Sequence, residues 1–405
     1  MKILIITSYF PSFDIHFADP RTKFFYYYAV EWVKQGSQVL VLHSVPRYPR
    51  IFSQMVCHLE NRFGFKMFQL NRFVQKREPL QAASYEVNGV KVIRTPIPKI
   101  LPHRDFFSRD LKKHRRKVLN LLKESGFDAD IIISDFLTPS AYIANDIKQR
   151  SHTPFYQVLH QVDFTYLQKY KKLRRLLKQA SGVLFRSYPQ KQLFKREGFF
   201  AAYEDFIFSG VPSDTSMGHI RCNIKKLIFV GSLRATKNIH IVLQALAASQ
   251  GRFQYEMEIV GEGPYEEALK SLINKLGLTE QVIFSGRLSR EKVFERMRQA
   301  DCLIMVSKES FGMVYVEALS QGCIVIAAKN QGIDGNVVHG KNGYLVKCGD
   351  IQALTAQLDH LSRLDRQEVM RISGNALKTA ANLKDDQLAK ELLERLSLHM
   401  RSKKE

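Results

Sequence analysis

Two glutamates stand eight positions apart in the segment Glu309-Ser310-Phe311-Gly312-Met313-Val314-Tyr315-Val316-Glu317. An apolar run, Leu303-Ile304-Met305-Val306, precedes them and reads as a buried strand, and Val316 to Leu319 reads as the start of a helix. Gly312 marks the turn between the two. This order puts Glu309 at the carboxyl end of a strand and Glu317 in the first turns of the next helix. Ligands of open α/β sheets lie outside the carboxyl ends of strands, beside helix N-termini. A carboxylate placed there accepts paired hydrogen bonds from vicinal hydroxyls, which suits a hydroxyl-rich ligand. Taken alone, the segment is equally compatible with one solvated acid and one acid favoured by a helix dipole.

Two more groups of residues carry chemistry. Phe229-Val230-Gly231-Ser232-Leu233-Arg234-Ala235-Thr236-Lys237-Asn238 reads as a strand, a glycine turn and a helix N-terminus. Arg234 and Lys237 beside such a turn can neutralise a diphosphate leaving group, whose charge grows as its bond breaks. By itself the segment is also an ordinary exposed loop. Leu159-His160-Gln161-Val162-Asp163 follows an apolar strand. A neutral imidazole there can hydrogen-bond sugar hydroxyls, and it can equally serve as a structural hydrogen-bonder.

The elements that must hold these residues follow from the pattern of the chain. Strands are expected at Ile3 to Ile6, Val39 to Leu42, Val90 to Arg94, Ile131 to Ser134, Phe155 to Leu159 and Val183 to Phe185. Helices are expected at 23–34, 108–123, 139–148, 165–178 and 190–196, with residues 45–85 irregular. A joint falls at Ser209-Gly210-Val211-Pro212-Ser213-Asp214, rich in turn residues. Beyond it, strands at 227–230, 256–260, 282–284, 303–306, 324–327 and 344–346 alternate with helices. The tail from Ile351 is helical, broken near Leu361 to Asp365. The fold class is α/β, with a first doubly wound domain over 1–210 and a second over 211–384. The last helix, 385–400, is free to pack back on the first domain. A chain of 405 residues exceeds the usual size of one core, in agreement with two domains.

Composition narrows the classes. The chain is 45% hydrophobic and 25% charged, as in an ordinary globular protein. Its five cysteines, Cys57, Cys222, Cys302, Cys323 and Cys348, form no metal-ligand spacing and suit a reducing compartment. Met1-Lys2-Ile3-Leu4-Ile5-Ile6-Thr7 reads as a first strand, not as a signal peptide. No run approaches the ~18 apolar residues of a membrane span. A cytoplasmic location is therefore expected.

The charge is uneven. Residues 1–200 carry 34 Lys+Arg against 15 Asp+Glu, or +19 of the total +22. The densest runs are Lys112-Lys113-His114-Arg115-Arg116-Lys117 and Lys169-Tyr170-Lys171-Lys172-Leu173-Arg174-Arg175. Apolar residues interleave with them at helical spacing: Leu111, Val118 and Leu122, then Leu167, Tyr170, Leu173 and Leu177. A basic amphipathic helix suits an anionic lipid surface, here the inner face of the plasma membrane; a plain solvated helix reads the same way. No nucleic-acid module accompanies the charge, so nucleic acid is not an expected partner.

The stretch Glu309 to Glu317, continued by Ala318-Leu319-Ser320-Gln321-Gly322-Cys323-Ile324-Val325-Ile326-Ala327, resembles the E-x7-E signature of retaining glycosyltransferases with the two-domain GT-B fold, family 4 type. The loop from Gly332 to Val346 is similar to the segment that follows that signature, as in enzymes of capsular and related polymers. The resemblance implies two Rossmann-like domains facing across a cleft. It implies transfer of a hexose-type sugar, with retention, from a nucleoside diphosphate to a saccharide or lipid-linked acceptor in surface-polysaccharide synthesis. Glu317 would bind the ribose and Glu309 the donor sugar. Lys237, helped by Arg234, would stabilise the departing diphosphate, together with the backbone N–H groups of Gly312, Met313 and Val314. Ser232, which stands where the family usually has an Arg, and Arg287 complete the donor side.

His160 and Asp163 resemble the family's H-G-x-D motif, with Gln161 in place of the glycine, and would line the acceptor side. Asp19 and Arg21 join them from a first loop that lacks the family's glycines. No cofactor is expected: Lys, Arg and the helix dipole replace the charge of a Mg²⁺ ion. Two other classes fit the same fold, a sugar-nucleotide epimerase and a non-catalytic, nucleotide-sugar-binding scaffold at the membrane. Asp128-Ala129-Asp130 has the form of a metal-binding D-x-D, but it precedes a strand and reads as an entry turn.

Overall fold

The computed structural model describes residues 1–11, 24–48, 82–100 and 105–402. The chain divides into two compact units. One comprises Met1–Phe185, Phe194–Ile207 and Ala389–Glu405, and the other Arg186–Leu193 and Phe208–Leu388.

In the first unit the strands are β1 (Lys2–Thr7), β2 (Gln38–Arg47), β3 (Ala83–Val87), β4 (Val90–Pro98), β5 (Ile131–Asp135), β6 (Phe155–Leu159), β7 (Gly182–Phe185) and β8 (Glu204–Phe206). They form one sheet in the order β3-β4-β2-β1-β5-β6-β7-β8. Only the β3–β4 pair is antiparallel. Parallel strands are covered on both faces, so they read as continuous apolar runs. Ile131, Ile132 and Ile133 of β5 are accordingly fully buried. The helices are α1 (Phe24–Lys34), α2 (Ser108–Glu124), α3 (Tyr142–Ser151), α4 (Gln161–Lys169) and α5 (Lys171–Leu177), while α6 (Tyr188–Arg196) groups with the second unit up to Leu193 and with the first from Phe194.

Three expectations need correction here. Residues 83–85, expected to be irregular, belong to the strand β3. Asn88 (φ 48°) and Gly89 (φ 76°) make the left-handed two-residue turn of a hairpin, and β3 returns along β4. The helix expected over 165–178 is two helices. The chain is extended at Tyr170 (φ −119°, ψ 103°), and α4 begins earlier, at Gln161, because Asp163 caps it. The apolar stripes of the basic helices face inward: Leu111, Val118 and Leu122, like Leu167, Leu173 and Leu177, are buried in the core. A core-facing stripe cannot enter a lipid leaflet, so only a charged outer face is left for any surface contact. Arg115 of that face is held by Asp146, Nε donating to Oδ2 at 2.6 Å. Among the described residues, no helix is long and apolar enough to cross a membrane.

The second unit holds β9 (Lys226–Val230), β10 (Glu256–Val260), β11 (Val282–Gly286), β12 (Cys302–Met305), β13 (Ile324–Ala328) and β14 (Tyr344–Val346). The sheet order is β11-β10-β9-β12-β13-β14, all parallel. Its helices are α7 (Ile239–Ala248), α8 (Glu266–Leu276), α9 (Arg290–Gln299), α10 (Met313–Ser320), α11 (Ile351–Leu361) and α12 (Arg366–Ala381); α13 (Asp385–Arg401) closes the chain. Numbered from its own first strand, this sheet runs 3-2-1-4-5-6, the doubly wound order whose direction reverses between the first and fourth strands. That reversal falls between β9 and β12. The part of α13 from Ala389 onward groups with the first unit, where the Trp32 indole donates to the Ala389 carbonyl at 2.8 Å.

Candidate functional site

In the second unit the expected residues gather at the carboxyl ends of adjacent strands. Arg234 and Lys237 follow β9, Arg287 follows β11, and Glu309 and Glu317 follow β12. Lys237 and Glu309 therefore flank the reversal of the sheet, and they meet there: Lys237 Nζ donates to Glu309 Oε1. Ser307 Oγ donates to the same oxygen at 2.7 Å. Among the described residues Oε2 takes no hydrogen bond, so one carboxylate oxygen stays open to a ligand. Asn238, in the left-handed conformation (φ 56°), donates to the Val306 carbonyl at 2.9 Å and ties the β9 loop to the end of β12.

Two backbone features shape this edge. Gly312 has φ 85°, and a Cβ there would stand 2.4 Å from the Tyr315 ring. The Tyr315 hydroxyl donates to the Met305 carbonyl at 2.7 Å, which pins α10 against the strand it follows. This sets the first-turn N–H groups of Met313 and Val314, which have no intrahelical acceptor, beside Glu309. At Gly261 a Cβ would lie 1.9 Å from the Gly231 carbonyl oxygen, so the β9 and β10 loops can close on each other only without a side chain. Ser232 sits half-buried between them. Arg287 is more peripheral, exposed and paired with exposed Glu262 at 3.1 Å.

Glu317 lies on α10 and is nearly buried. The structure places it against a residue that sequence reasoning missed. Arg290, at the start of α9, donates to Glu317 Oε1 through Nε at 3.0 Å and through Nη2 at 2.7 Å. The two glutamates of the motif are thus not in contact with each other; each has one oxygen taken by a different cation.

In the first unit the sheet reverses between β1 and β5, and a second polar cluster sits there. Thr7, ending β1, donates to Asp135 Oδ2 at 2.7 Å, and Asp135, ending β5, is buried. Asp135 Oδ1 lies 2.6 Å from His160 Nε2. The ring of Phe136 stacks on the His160 imidazole with centroids 3.9 Å apart. Phe136 has φ 59° and ψ 152°, a backbone region that glycine alone adopts readily, so this stack carries strain. Asp163 is buried, accepting from the backbone N–H of His160 at 2.8 Å and of Leu137 at 3.1 Å. These two bonds tie the segment after β5 to the start of α4. Burial pushes its carboxyl up to about 6, against the opposing pull of His160 and the two backbone donors. Asp19 and Arg21 lie outside the described residues.

Comparison with known proteins bears on these sites. Residues 220–379 match the family model of glycosyl transferases group 1. The match lies within the second unit. The N-acetyl-alpha-D-glucosaminyl L-malate synthase of Bacillus anthracis is 31% identical over 151 residues, 37% of this chain and 39% of that protein. A putative colanic acid biosynthesis glycosyltransferase, WcaL of Salmonella typhimurium, is 29% identical over 166 residues, 38% of this chain and 40% of that protein. The chain thus spans about two fifths of the length of these curated relatives. HepE of Anabaena, solved in complex with UDP, superposes with TM-score 0.68 at 20% identity over 98% of this chain and 100% of that one. This likeness establishes the fold, GT-B, for both units.

Within the segment that matches the group 1 family model lie Lys237, Glu309, Glu317 and the α10 amides, together with Arg290, Asn238 and Ser307, which the motif did not disclose. Arg290 did leave a signal. A cation in the first turn of a helix opposes the helix dipole, so an Arg there asks for a carboxylate partner. Asp135, Thr7 and Phe136 lie in the other unit, and the trace of Asp135 was an acid closing an otherwise apolar strand.

Proposed function

We propose that this protein is a glycosyltransferase of surface-polysaccharide or glycolipid synthesis that moves a hexose-type sugar, with retention, from a nucleoside diphosphate to a saccharide or lipid-linked acceptor. The observation that carries this reading is the Lys237–Glu309 pair at the reversal of the second sheet, beside the orphan amides of α10. A cation and a helix N-terminus favour the diphosphate, and a carboxylate with one open oxygen favours sugar hydroxyls. The group 1 family match and the colanic acid relative support the reaction class, and the UDP complex of HepE supports a nucleoside diphosphate donor.

In the reaction so read, the bond from C1 of the sugar to the β-phosphate oxygen breaks while the acceptor oxygen bonds to C1 on the same face. The electron pair and negative charge pass to the diphosphate, and that phosphate oxygen takes the acceptor proton. Lys237, with Arg234 nearby, acts where this charge grows, so it lowers the barrier more than it tightens substrate binding. Glu317 would hold the ribose and Glu309 the sugar hydroxyls. His160, clamped by Asp135 and Phe136, would line the acceptor side. Lys237, Arg234 and the α10 dipole supply positive charge, so no metal ion is required. The charged outer face of α2 and the cations of α4 and α5 favour work at an anionic membrane surface on the cytoplasmic side.

A panel of UDP-, GDP- and ADP-sugars, screened by thermal shift and then by transfer of labelled sugar to acceptor, tests this. A donor present at 100 times its Kd should add about 2.7 kcal/mol of stability. Acceptor-dependent transfer with retained anomeric configuration is the expected result. Isomerised donor without acceptor dependence would make the protein an epimerase, and binding without turnover would make it a scaffold.

A further inference from the structure

Arg290 has a place that helix energetics alone does not account for. It is the first residue of α9, behind the Ser289 cap, whose Oγ accepts from the Lys292 N–H at 3.4 Å. The positive end of the helix dipole disfavours a guanidinium at that position. Its contacts with Phe294 and Glu317 favour it there nonetheless. Its guanidinium lies over the Phe294 ring, 5.6 Å from the centroid, one helical turn on. Its Nε and Nη2 both converge on Glu317 Oε1, at 3.0 and 2.7 Å. The two side chains retain 24% and 12% of their exposure, so the pair is mostly withdrawn from water while an edge stays accessible.

The arrangement is one-sided. A guanidinium facing a carboxylate squarely would engage both oxygens in a fork. Here both donors take the same oxygen, and among the described residues Oε2 of Glu317 accepts no hydrogen bond. A carboxylate pinned by one oxygen cannot rotate about its last bond without breaking two charge-assisted contacts. Its free oxygen is therefore fixed in direction, with lone pairs for two hydroxyl donors. Two hydroxyls on adjacent carbons, held syn by a five-membered ring, match a single fixed acceptor.

We propose that Arg290 is a positioning residue: through Glu317 it sets the direction of the oxygen that reads the paired ribose hydroxyls, and so makes the site select ribonucleotides over deoxynucleotides. The proposal rests on the glycosyltransferase reading, which supplies the nucleoside diphosphate ligand. Arg290 touches neither phosphate nor base in this account, and its effect on the choice of nucleotide passes through Glu317.

The experiment is calorimetric binding of a nucleoside diphosphate and its 2′-deoxy analogue to the full chain, in wild type, Arg290→Gln, Glu317→Gln and the double variant. Arg290→Gln is expected to weaken the ribonucleotide about tenfold and the 2′-deoxy analogue, which keeps only one of the two hydroxyls, by clearly less, since one fixed acceptor is lost. The double variant should bind no more weakly than Glu317→Gln alone. Equal loss for both nucleotides, additive losses in the double variant, or wild-type affinity in Arg290→Gln would each overturn the proposal. Arg290→Lys, which keeps the charge but offers no fork, should behave as Arg290→Gln does, and it serves if the glutamine variant does not fold. If the wild type binds no nucleoside diphosphate at all, the glycosyltransferase reading fails first and this inference with it. Normal binding with unaltered discrimination in the variants sinks this inference alone.

Discussion

Two buried groups in the first unit titrate in opposite senses, and separating them tests the electrostatics of the His160 cluster. Burial raises the Asp163 carboxyl from 3.8 to about 6. A group whose folded pKa is raised stabilises the fold fully below its unfolded pKa and loses that stabilisation as pH rises through the folded one. Burial lowers His114, inside α2, from 6.5 to about 4. Its sign is the reverse: the stabilisation is present above 6.5 and lost as pH falls through 4. At about 1.4 kcal/mol per unit, each group is worth about 3 kcal/mol across its window, and between about pH 4 and 6 the two slopes nearly cancel. Asp163→Asn should therefore gain stability relative to wild type by about 3 kcal/mol from pH 4 to pH 6. His114→Gln should lose a similar amount over the same interval. The chain has one tryptophan, Trp32, fully buried in the first unit, so its fluorescence in urea titrations reports this unit. Differences between variant and wild type cancel the carboxylates common to both. A pH-independent difference for either variant, or slopes of the same sign, would refute the reasoning.

Three further outcomes are expected. Glu317→Ala should mainly weaken donor binding, whereas Lys237→Ala should mainly lower kcat, because a ribose contact is equal in ground and transition states and the phosphate charge is not; a change in KM alone for Lys237→Ala would remove its role. Transfer should survive EDTA, and complete loss restored by Mg²⁺ or Mn²⁺ would sink the metal-free mechanism. Neutralising Lys112, Lys113, Arg116 and Lys117 on the exposed face of α2 should abolish most sedimentation with anionic vesicles. Because the apolar stripe of α2 is buried, wild-type binding should itself vanish as salt shortens the Debye length below ~10 Å. Binding that persists at high salt would contradict a purely electrostatic contact.

Much of the scaffold was legible because parallel strands, buried on both faces, announce themselves as apolar runs. Phe155–Leu159, Glu256–Val260 and Tyr344–Val346 fall where the pattern puts them. The misses have local causes. β3, Ala83-Ser84-Tyr85-Glu86-Val87, alternates apolar and polar residues and runs into the strong hairpin signal Asn88-Gly89, but it is short and its sequence abuts an aromatic, basic stretch of irregular composition. The double helix at Gln161–Leu177 reads as one, since basic and apolar residues keep a helical period straight through Tyr170, where the backbone turns. Nor does the sequence say which way an amphipathic stripe faces. Leu111 and Val118 look alike whether they meet lipid or a core.

What motif reasoning reached at the site were the residues after strands; what it did not reach were their partners on other elements. Lys237 and Glu309 are 72 positions apart and meet only because β9 and β12 are neighbours in a sheet whose order reverses between them. The same logic holds in the first unit, where Thr7 and Asp135, 128 positions apart, join across the β1–β5 reversal. At such a reversal the connections leave to opposite sides, so no helix covers the crevice and the strand ends stay accessible. In the second unit Lys237 and Glu309 remain partly hydrated, so each is satisfied by its neighbour across the gap without the full cost of burial, whereas Thr7 and Asp135 are buried and depend on each other. A lysine and a glutamate poised in this way need little rearrangement to exchange each other for a phosphate and a hydroxyl. In the proposed reading the two members of this pair are oriented beforehand, and a bound donor would replace one set of charge-assisted contacts with another.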